Sequence, residues 1–234
     1  MISGFEINKI YRTDCIEGMR KLPDKSVDLT LTDIPYGAVS KNGAERAKYA
    51  GQLRKIDKGL ADIVTFELTD FLREVSRVTN GGVYIFCGVE QLSTIFSYFD
   101  SHKDFMVRQC AWRKTNPAPS NGQHMWLSTM ENCIFAKRRK TKFNALCRPS
   151  VWDFPISRGK LHPTQKSLDL FEYLTQASTD EGDLILDPCM GSGTTAVAAV
   201  KLNRNFIGFE IEREYVDIAN KRLNGVQIEL LHHL

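Results

Sequence analysis

Apolar and polar positions along the 234-residue chain follow two different periods, and the switches between them mark its elements. Val27-Asp28-Leu29-Thr30-Leu31-Thr32 is short, mostly β-branched or apolar, and closed by Pro35, so it predicts a buried strand. Val83 to Cys87, Phe105 to Trp112, Glu131 to Phe135, Leu184 to Leu186 and Phe206 to Phe209 read the same way, with Ile7 to Tyr11 as a short opening strand. Leu68, Phe71, Leu72, Val75 and Val78 follow helical spacing, and Asn80-Gly81-Gly82 is expected to end that helix. Further helices are expected over Cys15 to Leu22, around Leu92 to Phe99, from Ser167, over Thr194 to Leu202 and over Glu214 to Leu223. From Ser167 onward strand and helix alternate, which predicts an α/β fold with a largely parallel, doubly wound sheet covered by helices on both faces.

Two stretches stand outside this pattern within what reads as one domain over 1–234. Residues 37–59 are polar and lack periodicity, and a loop of that length is expected to be functional or mobile. Residues 113–161 contain the turn-rich Asn116-Pro117-Ala118-Pro119-Ser120-Asn121-Gly122 and the basic run Lys137-Arg138-Arg139-Lys140-Thr141-Lys142, and are expected to be an inserted recognition segment.

Composition narrows the class only a little. The charged and apolar fractions are those of an ordinary globular protein, and no apolar run approaches the roughly 20 residues that span a bilayer. The N-terminus lacks the form of a secretion signal. Six scattered cysteines without a Cys-x-x-Cys pair argue against a zinc site or a disulfide framework, and lead us to expect reduced thiols, a cytoplasmic setting and no metal. A formal charge of +3 says little, so any nucleic-acid contact has to rest on local basic clusters.

The chemistry lies at two strand ends. Asp33-Ile34-Pro35-Tyr36 directly follows the first buried strand, and Pro35 biases Ile34 away from helix. A carboxylate, a free carbonyl and an aromatic ring thus crowd at a carboxyl edge, where open α/β sheets bind ligands. The loop Asp187-Pro188-Cys189-Met190-Gly191-Ser192-Gly193-Thr194-Thr195 joins another buried strand to a helix, and its glycines allow close approach to the backbone. It lacks both the full dinucleotide fingerprint and a Walker lysine. Asp187 disfavours a phosphate but suits an ammonium and a sulfonium. Glu210 ends the next strand, about 20 residues on, where an acid takes ribose hydroxyls. This set describes S-adenosylmethionine better than a nicotinamide dinucleotide.

The two stretches together resemble the amino-group DNA methyltransferases, whose hallmarks are Asp/Asn/Ser-Pro-Pro-Tyr/Phe/Trp and Asp-Pro-Phe-x-Gly-Ser-Gly-Thr-Thr. His162-Pro163-Thr164-Gln165-Lys166 and Asp14-Cys15 resemble two further family motifs. With the catalytic motif first and the cofactor loop last, the order is that of the β group, which implies a circularly permuted Rossmann-like methyltransferase fold. The resemblance implies that Asp187, Cys189, Gly191 and Gly193, within a loop that includes Pro188, Ser192 and Thr194, surround the methionine part of S-adenosylmethionine. It also implies that Thr164 and Lys166 border the cofactor's carboxylate, that Glu210 holds the ribose, and that Asp14, next to Cys15, reaches the adenine ring.

The implied activity is adenine-N6 methylation of a base flipped from double-stranded DNA, with Asp33, Ile34, Pro35 and Tyr36 as the catalytic set. Ile34 departs from the family's usual proline, but the residue there contributes its main-chain carbonyl. Cytosine-N4 methylation stands as the alternative, as does a relative that has lost catalysis. DNA contact is expected from Arg46, Lys48, Arg54 and Lys55 in the first loop, and from Lys114, Asn116, Lys137, Arg138 and Arg139 in the second segment. The resemblance implies a bacterial or phage-encoded enzyme. It leaves open a homodimer, which is frequent in the family, and a cognate restriction endonuclease as partner.

Overall fold

Eight strands form one sheet in the computed structural model, which describes residues 1–36, 66–117, 126–157 and 166–231. In chain order the elements are β1 (Lys9–Arg12), α1 (Cys15–Lys21), β2 (Val27–Asp33), α2 (Leu68–Val78), β3 (Thr79–Cys87), α3 (Val89–Asp100), β4 (Phe105–Lys114), β5 (Met130–Arg138), β6 (Val151–Phe154), α4 (Leu168–Ser178), β7 (Leu184–Asp187), α5 (Thr194–Lys201), β8 (Asn205–Glu210) and α6 (Arg213–Leu231). The sheet order is β1-β8-β7-β2-β3-β5-β4-β6.

Strand alternation divides the core into two layers. Val83, Ile85, Leu184, Leu186 and Ile207 pack with Met19, Phe71, Val75 and Ile95 on the face covered by α1, α2 and α3. Leu29, Leu31, Tyr84, Phe86, Ile185 and Phe206 pack with Leu170, Leu174, Val197 and Ala219 on the face covered by α4, α5 and α6. Both faces are buried, so β2 needs no polar side: Leu29, Thr30, Leu31 and Thr32 are each 0 % exposed. The expected permuted, doubly wound arrangement is what the chain adopts. Strands β2 and β7 come from opposite ends of the sequence and pair in parallel, Leu29 with Ile185 and Thr30 with Leu186. Their following connections lead to β3 on one side and β8 on the other, which opens a crevice at their shared carboxyl edge.

Two expectations fail, and one strand direction was left open by the sequence. Asn80-Gly81-Gly82 does not cap α2, because the helix ends at Val78 and these residues already belong to β3. Gly81 is needed for clearance, since a Cβ there would lie 2.2 Å from the Asp28 carbonyl oxygen. The described part of 113–161 is no separate insertion. It supplies the end of β4, all of β5 and the unforeseen β6, which pairs in parallel with β4 and leaves Trp152 8 % exposed. Finally, β5 is antiparallel to both β3 and β4. Its start therefore lies at the carboxyl edge of the parallel strands, and its end lies at the opposite edge.

Candidate active site

Asp33 is the last residue of β2, and the Ile34 N–H extends the ladder by donating to the Phe86 carbonyl at 3.2 Å. The Ile34 side chain is 1 % exposed and packs in the α1–α3 layer, so an aliphatic group at this position is held by the core. Among the described residues, nothing donates to the Ile34 carbonyl. The Pro35 carbonyl accepts from Gln91 Nε2 at 2.9 Å, and Gln91 Oε1 accepts from the Gly88 N–H at 2.9 Å, which straps the tetrapeptide to the start of α3.

A compact ionic cluster surrounds this turn. Lys166 Nζ lies 2.8 Å from Asp33 Oδ2, 2.9 Å from the Tyr36 hydroxyl and 2.6 Å from Glu131 Oε2, so all three ammonium donors have partners. The Tyr36 hydroxyl has two acceptors within reach, Asp33 Oδ1 at 3.0 Å and Glu131 Oε2 at 3.2 Å. Lys114 Nζ closes the set at 2.7 Å from Glu131 Oε1. Asp33 keeps 29 % of its side chain exposed, whereas Lys166 keeps 9 %.

The protonation states follow from burial and pairing. Desolvation alone favours neutral Glu131, but Lys166 and Lys114 outweigh it and bring the carboxyl down to about 2. Burial likewise opposes charge on Lys166, yet Asp33, Tyr36 and Glu131 together hold its pKa well above the usual lysine value. Asp33 is raised, chiefly by desolvation and further by Glu131, with Lys166 and Tyr36 opposing. Burial and the Asp33 charge push the Tyr36 phenol well up, so it remains a donor.

The second half of the site lies beside β2. Asp187 ends β7, is 3 % exposed, and accepts from Thr195 Oγ1 at 2.5 Å and the Cys189 N–H at 3.1 Å. Desolvation lifts its pKa to about 7 against those hydrogen bonds. Gly191 and Gly193 take positive φ of 50° and 81°, which suits glycine, and a Cβ on Gly193 would meet Ala219 Cβ at 2.8 Å. The Gly191 N–H donates to Glu210 Oε2 at 2.7 Å, and the Glu212 N–H donates to Oε1 at 2.9 Å, so Glu210 ties the loop to β8. From α6, Arg222 donates to the Ser192 carbonyl, to Ser192 Oγ at 3.1 Å and to Thr194 Oγ1 at 3.3 Å. The neighbouring Cys15 thiol and burial together keep the Cys189 pKa well above the usual thiol value. Asp14 caps α1 by accepting the Ile16 and Glu17 N–H groups on Oδ1. A buried and a half-buried carboxylate at neighbouring strand ends, flanking a glycine loop without a lysine, fit an ammonium and a ribose better than a pyrophosphate.

Several residues sit differently from their sequence-based roles. Lys166 is held by Asp33, Tyr36 and Glu131, where the resemblance implied the cofactor's carboxylate. Lys114 is 15 % exposed and paired with Glu131, so it does not offer a free charge to DNA. Asn116 uses its amide on the Ile156 backbone, donating to the carbonyl at 3.3 Å and accepting from the N–H at 2.6 Å. Lys137 is 7 % exposed and donates to the carbonyls of Arg138 and Thr141. Arg138 donates to the Thr79 and Ser76 carbonyls and pairs with Asp104, and Arg139 Nε donates to the Lys103 carbonyl.

The reason is strand direction. Asp33 aligns with Phe86 and, across β3, with Cys133, whereas Lys137 aligns with Gly82, about 13 Å toward the other edge. Glu131 and Arg222 were not expected, and nothing in local periodicity distinguishes them from other polar residues. Thr164, Arg46, Lys48, Arg54 and Lys55, together with 37–59 as a whole, lie outside the described residues.

A permuted α/β sheet with an Asp-x-Pro-Tyr turn and a glycine loop at one carboxyl edge defines an amino-group methyltransferase. A family model described as DNA methylase matches residues 27–221. The type II methyltransferase M2.DpnII of Streptococcus pneumoniae is 31 % identical over 92 % of this chain and 89 % of its own, and M.HinfI of Haemophilus influenzae is 30 % identical over 96 % and 72 %. The crystal structure of the M1.HpyAVI-SAM complex matches with a TM-score of 0.67 at 32 % identity, over 92 % of this chain and 99 % of that one. The cytosine-N4-specific PvuII DNA methyltransferase, at 16 % identity and TM-score 0.69, shares the fold. The chain belongs to this family of S-adenosylmethionine-dependent N6-adenine/N4-cytosine DNA methyltransferases.

Proposed function

We propose that the protein methylates the exocyclic N6 of adenine at a specific sequence in duplex DNA. The observation that carries this reading is the placement of Asp33, a carboxylate, at the carboxyl edge of β2, beside the loop that begins at Asp187. An exocyclic amine is a poor nucleophile because its lone pair is delocalised into the ring. Asp33 and the Ile34 carbonyl accept its two hydrogens, the nitrogen moves toward a tetrahedral shape, and its lone pair becomes available. Asp33 then accepts the surplus proton. Flipping the base costs a few kcal/mol, and stacking on Tyr36 returns roughly 1–3 kcal/mol of it. The ring is suited to that use because its hydroxyl is already tied to the ionic cluster.

S-adenosylmethionine, when bound, supplies the methyl group on an electrophilic sulfonium. In our reading Asp187 faces its ammonium, Glu210 its ribose and Asp14 its adenine ring, while Cys189, Gly191 and Gly193 line the methionine part. The burial of Asp187 without a cation among its hydrogen-bond partners supports the first of these. Phosphate contacts are assigned to the basic residues of 37–59, which directly follow Tyr36. We place the enzyme in the cytoplasm of a bacterium or of a phage-infected cell. Among the described residues no helix is long and apolar enough to cross a membrane, and no group of His, Cys, Asp or Glu could hold a metal ion.

The test is mass spectrometry of nucleosides from DNA treated with the purified protein and S-adenosylmethionine. N6-methyladenine is expected, and it should vanish in Asp33→Ala while cofactor binding persists. N4-methylcytosine, or unchanged turnover in Asp33→Ala, would overturn the reading.

A further inference from the structure

We propose that Glu131 is a positioning residue for methyl transfer, holding Lys166 and Tyr36 in place and balancing the Lys166 charge so that Asp33 remains a good proton acceptor. The inference deepens the proposed function and rests on Asp33 acting as the acceptor for the amine.

The geometry is specific. Glu131 is the second residue of β5, and because that strand is antiparallel it brings a carboxylate to the catalytic edge. One oxygen, Oε2, faces both the Lys166 ammonium at 2.6 Å and the Tyr36 hydroxyl at 3.2 Å, while Oε1 is held by Lys114 at 2.7 Å. The charges of two carboxylates and two ammoniums sum to zero.

Without Glu131, Lys166 would face Asp33 as an uncompensated cation. That would weaken Asp33 as an acceptor and set a positive charge beside a nitrogen that becomes positive during transfer. Glu131 removes that penalty. It also gives the Tyr36 O–H a second acceptor, so Asp33 Oδ1 can be released to the incoming amine while Tyr36 stays anchored. A carboxylate has about four lone-pair sites, and Asp33 already engages Lys166 and Tyr36, which leaves room for a base hydrogen.

The groups that face Asp33 electrostatically are Lys166, Glu131 and Tyr36, with Asp187 on the neighbouring strand and the Cys87 and Cys133 thiols. Both thiols are pushed up by burial, Cys87 to about 12, and stay neutral across the working range. Glu131 raises the Asp33 pKa and Lys166 lowers it. Removing each charge therefore shifts Asp33 in opposite directions, and a purely structural role would not do that.

The experiment measures single-turnover methylation of a duplex substrate against pH, with S-adenosylmethionine affinity measured in parallel, for the wild type, Glu131→Gln, Glu131→Asp and Lys166→Gln. The expected result for Glu131→Gln is a rate lowered about 10–100-fold, the scale of a misplaced reacting group. Its acidic limb should move to lower pH with cofactor affinity unchanged. Lys166→Gln should move the limb to higher pH. Glu131→Asp keeps the charge, so it should leave the limb in place with an intermediate rate, and it serves as the test if Glu131→Gln does not fold. An unchanged rate and limb in Glu131→Gln would overturn the proposal, as would an unchanged rate in Glu131→Asp or an effect confined to cofactor affinity. Failure of the wild type to methylate adenine, or an active Asp33→Ala, would instead overturn the proposed function.

Discussion

The Thr195 hydroxyl lies 2.5 Å from Asp187 Oδ2 and 3.3 Å from the Leu31 carbonyl, so one side chain at the start of α5 links the glycine loop to the strand that carries Asp33. This link fixes Asp187 in a pocket where it is 3 % exposed and its pKa stands near 7.

A raised carboxyl pKa makes stability fall as pH rises. Between the ordinary value of 3.8 and about 7, folded Asp187 binds a proton that the unfolded chain has released. The Asp187 share of the stability is therefore greatest below about pH 4 and is lost as pH climbs through about 7, on the order of a few kcal/mol. Asp187→Asn is expected to flatten this dependence, measured by urea unfolding at about pH 4.5 to 7.5. Because an ammonium favours the ionised form, S-adenosylmethionine should bind the wild type with proton release. Calorimetry in buffers of different ionisation enthalpy checks this, and release should be absent in Asp187→Asn.

Arg222 reaches the glycine loop from α6 and donates to Ser192 and Thr194. Hydrogen bonds from a charged donor contribute about 1.5–3 kcal/mol. Arg222→Met is expected to weaken S-adenosylmethionine binding roughly tenfold or more. DNA binding without cofactor should be preserved, as read by calorimetry and fluorescence anisotropy.

Gly193→Ala tests the backbone of the same loop. With φ at 81° and Ala219 Cβ at 2.8 Å, the added methyl is both strained and crowded. A reduction of about 1–3 kcal/mol in stability is expected from a thermal melt, along with weaker cofactor affinity.

Lys137 and Arg138 should matter for folding more than for DNA. Lys137→Met and Arg138→Met are expected to lower the melting temperature while leaving the salt dependence of DNA binding unchanged. Neutralising Arg46, Lys48, Arg54 and Lys55 should make the slope of log K against log salt shallower by about 0.9 for every phosphate that is no longer neutralised.

Local signals along the chain were enough for most of the fold. The apolar runs at Val27 to Thr32 and Leu184 to Leu186, and the helical spacing from Leu68 to Val78, became β2, β7 and α2 with boundaries close to those expected. Residues 80–82 misled because a glycine pair reads locally as a helix end, while the need for clearance against Asp28 is visible only once β2 and β3 are paired. β6 escaped notice because Asp153 interrupts its apolar residues and Pro155 follows directly, so no continuous apolar run marks it as one marks β7.

That Asp33 and Asp187 share a carboxyl edge was legible from the residues alone. Alternating strands and helices force a parallel sheet, and a parallel sheet puts all of its strand ends on one side. Which other charges join them depended on tertiary pairing. The direction of β5 is set by its partners β3 and β4, and that direction sends Glu131 to the catalytic edge and Lys137 to the opposite one. Lys166 likewise meets Asp33 through the folded sheet. A lysine has the same local signature whether it faces solvent or a buried carboxylate, so its partner emerges only when distant segments close around it.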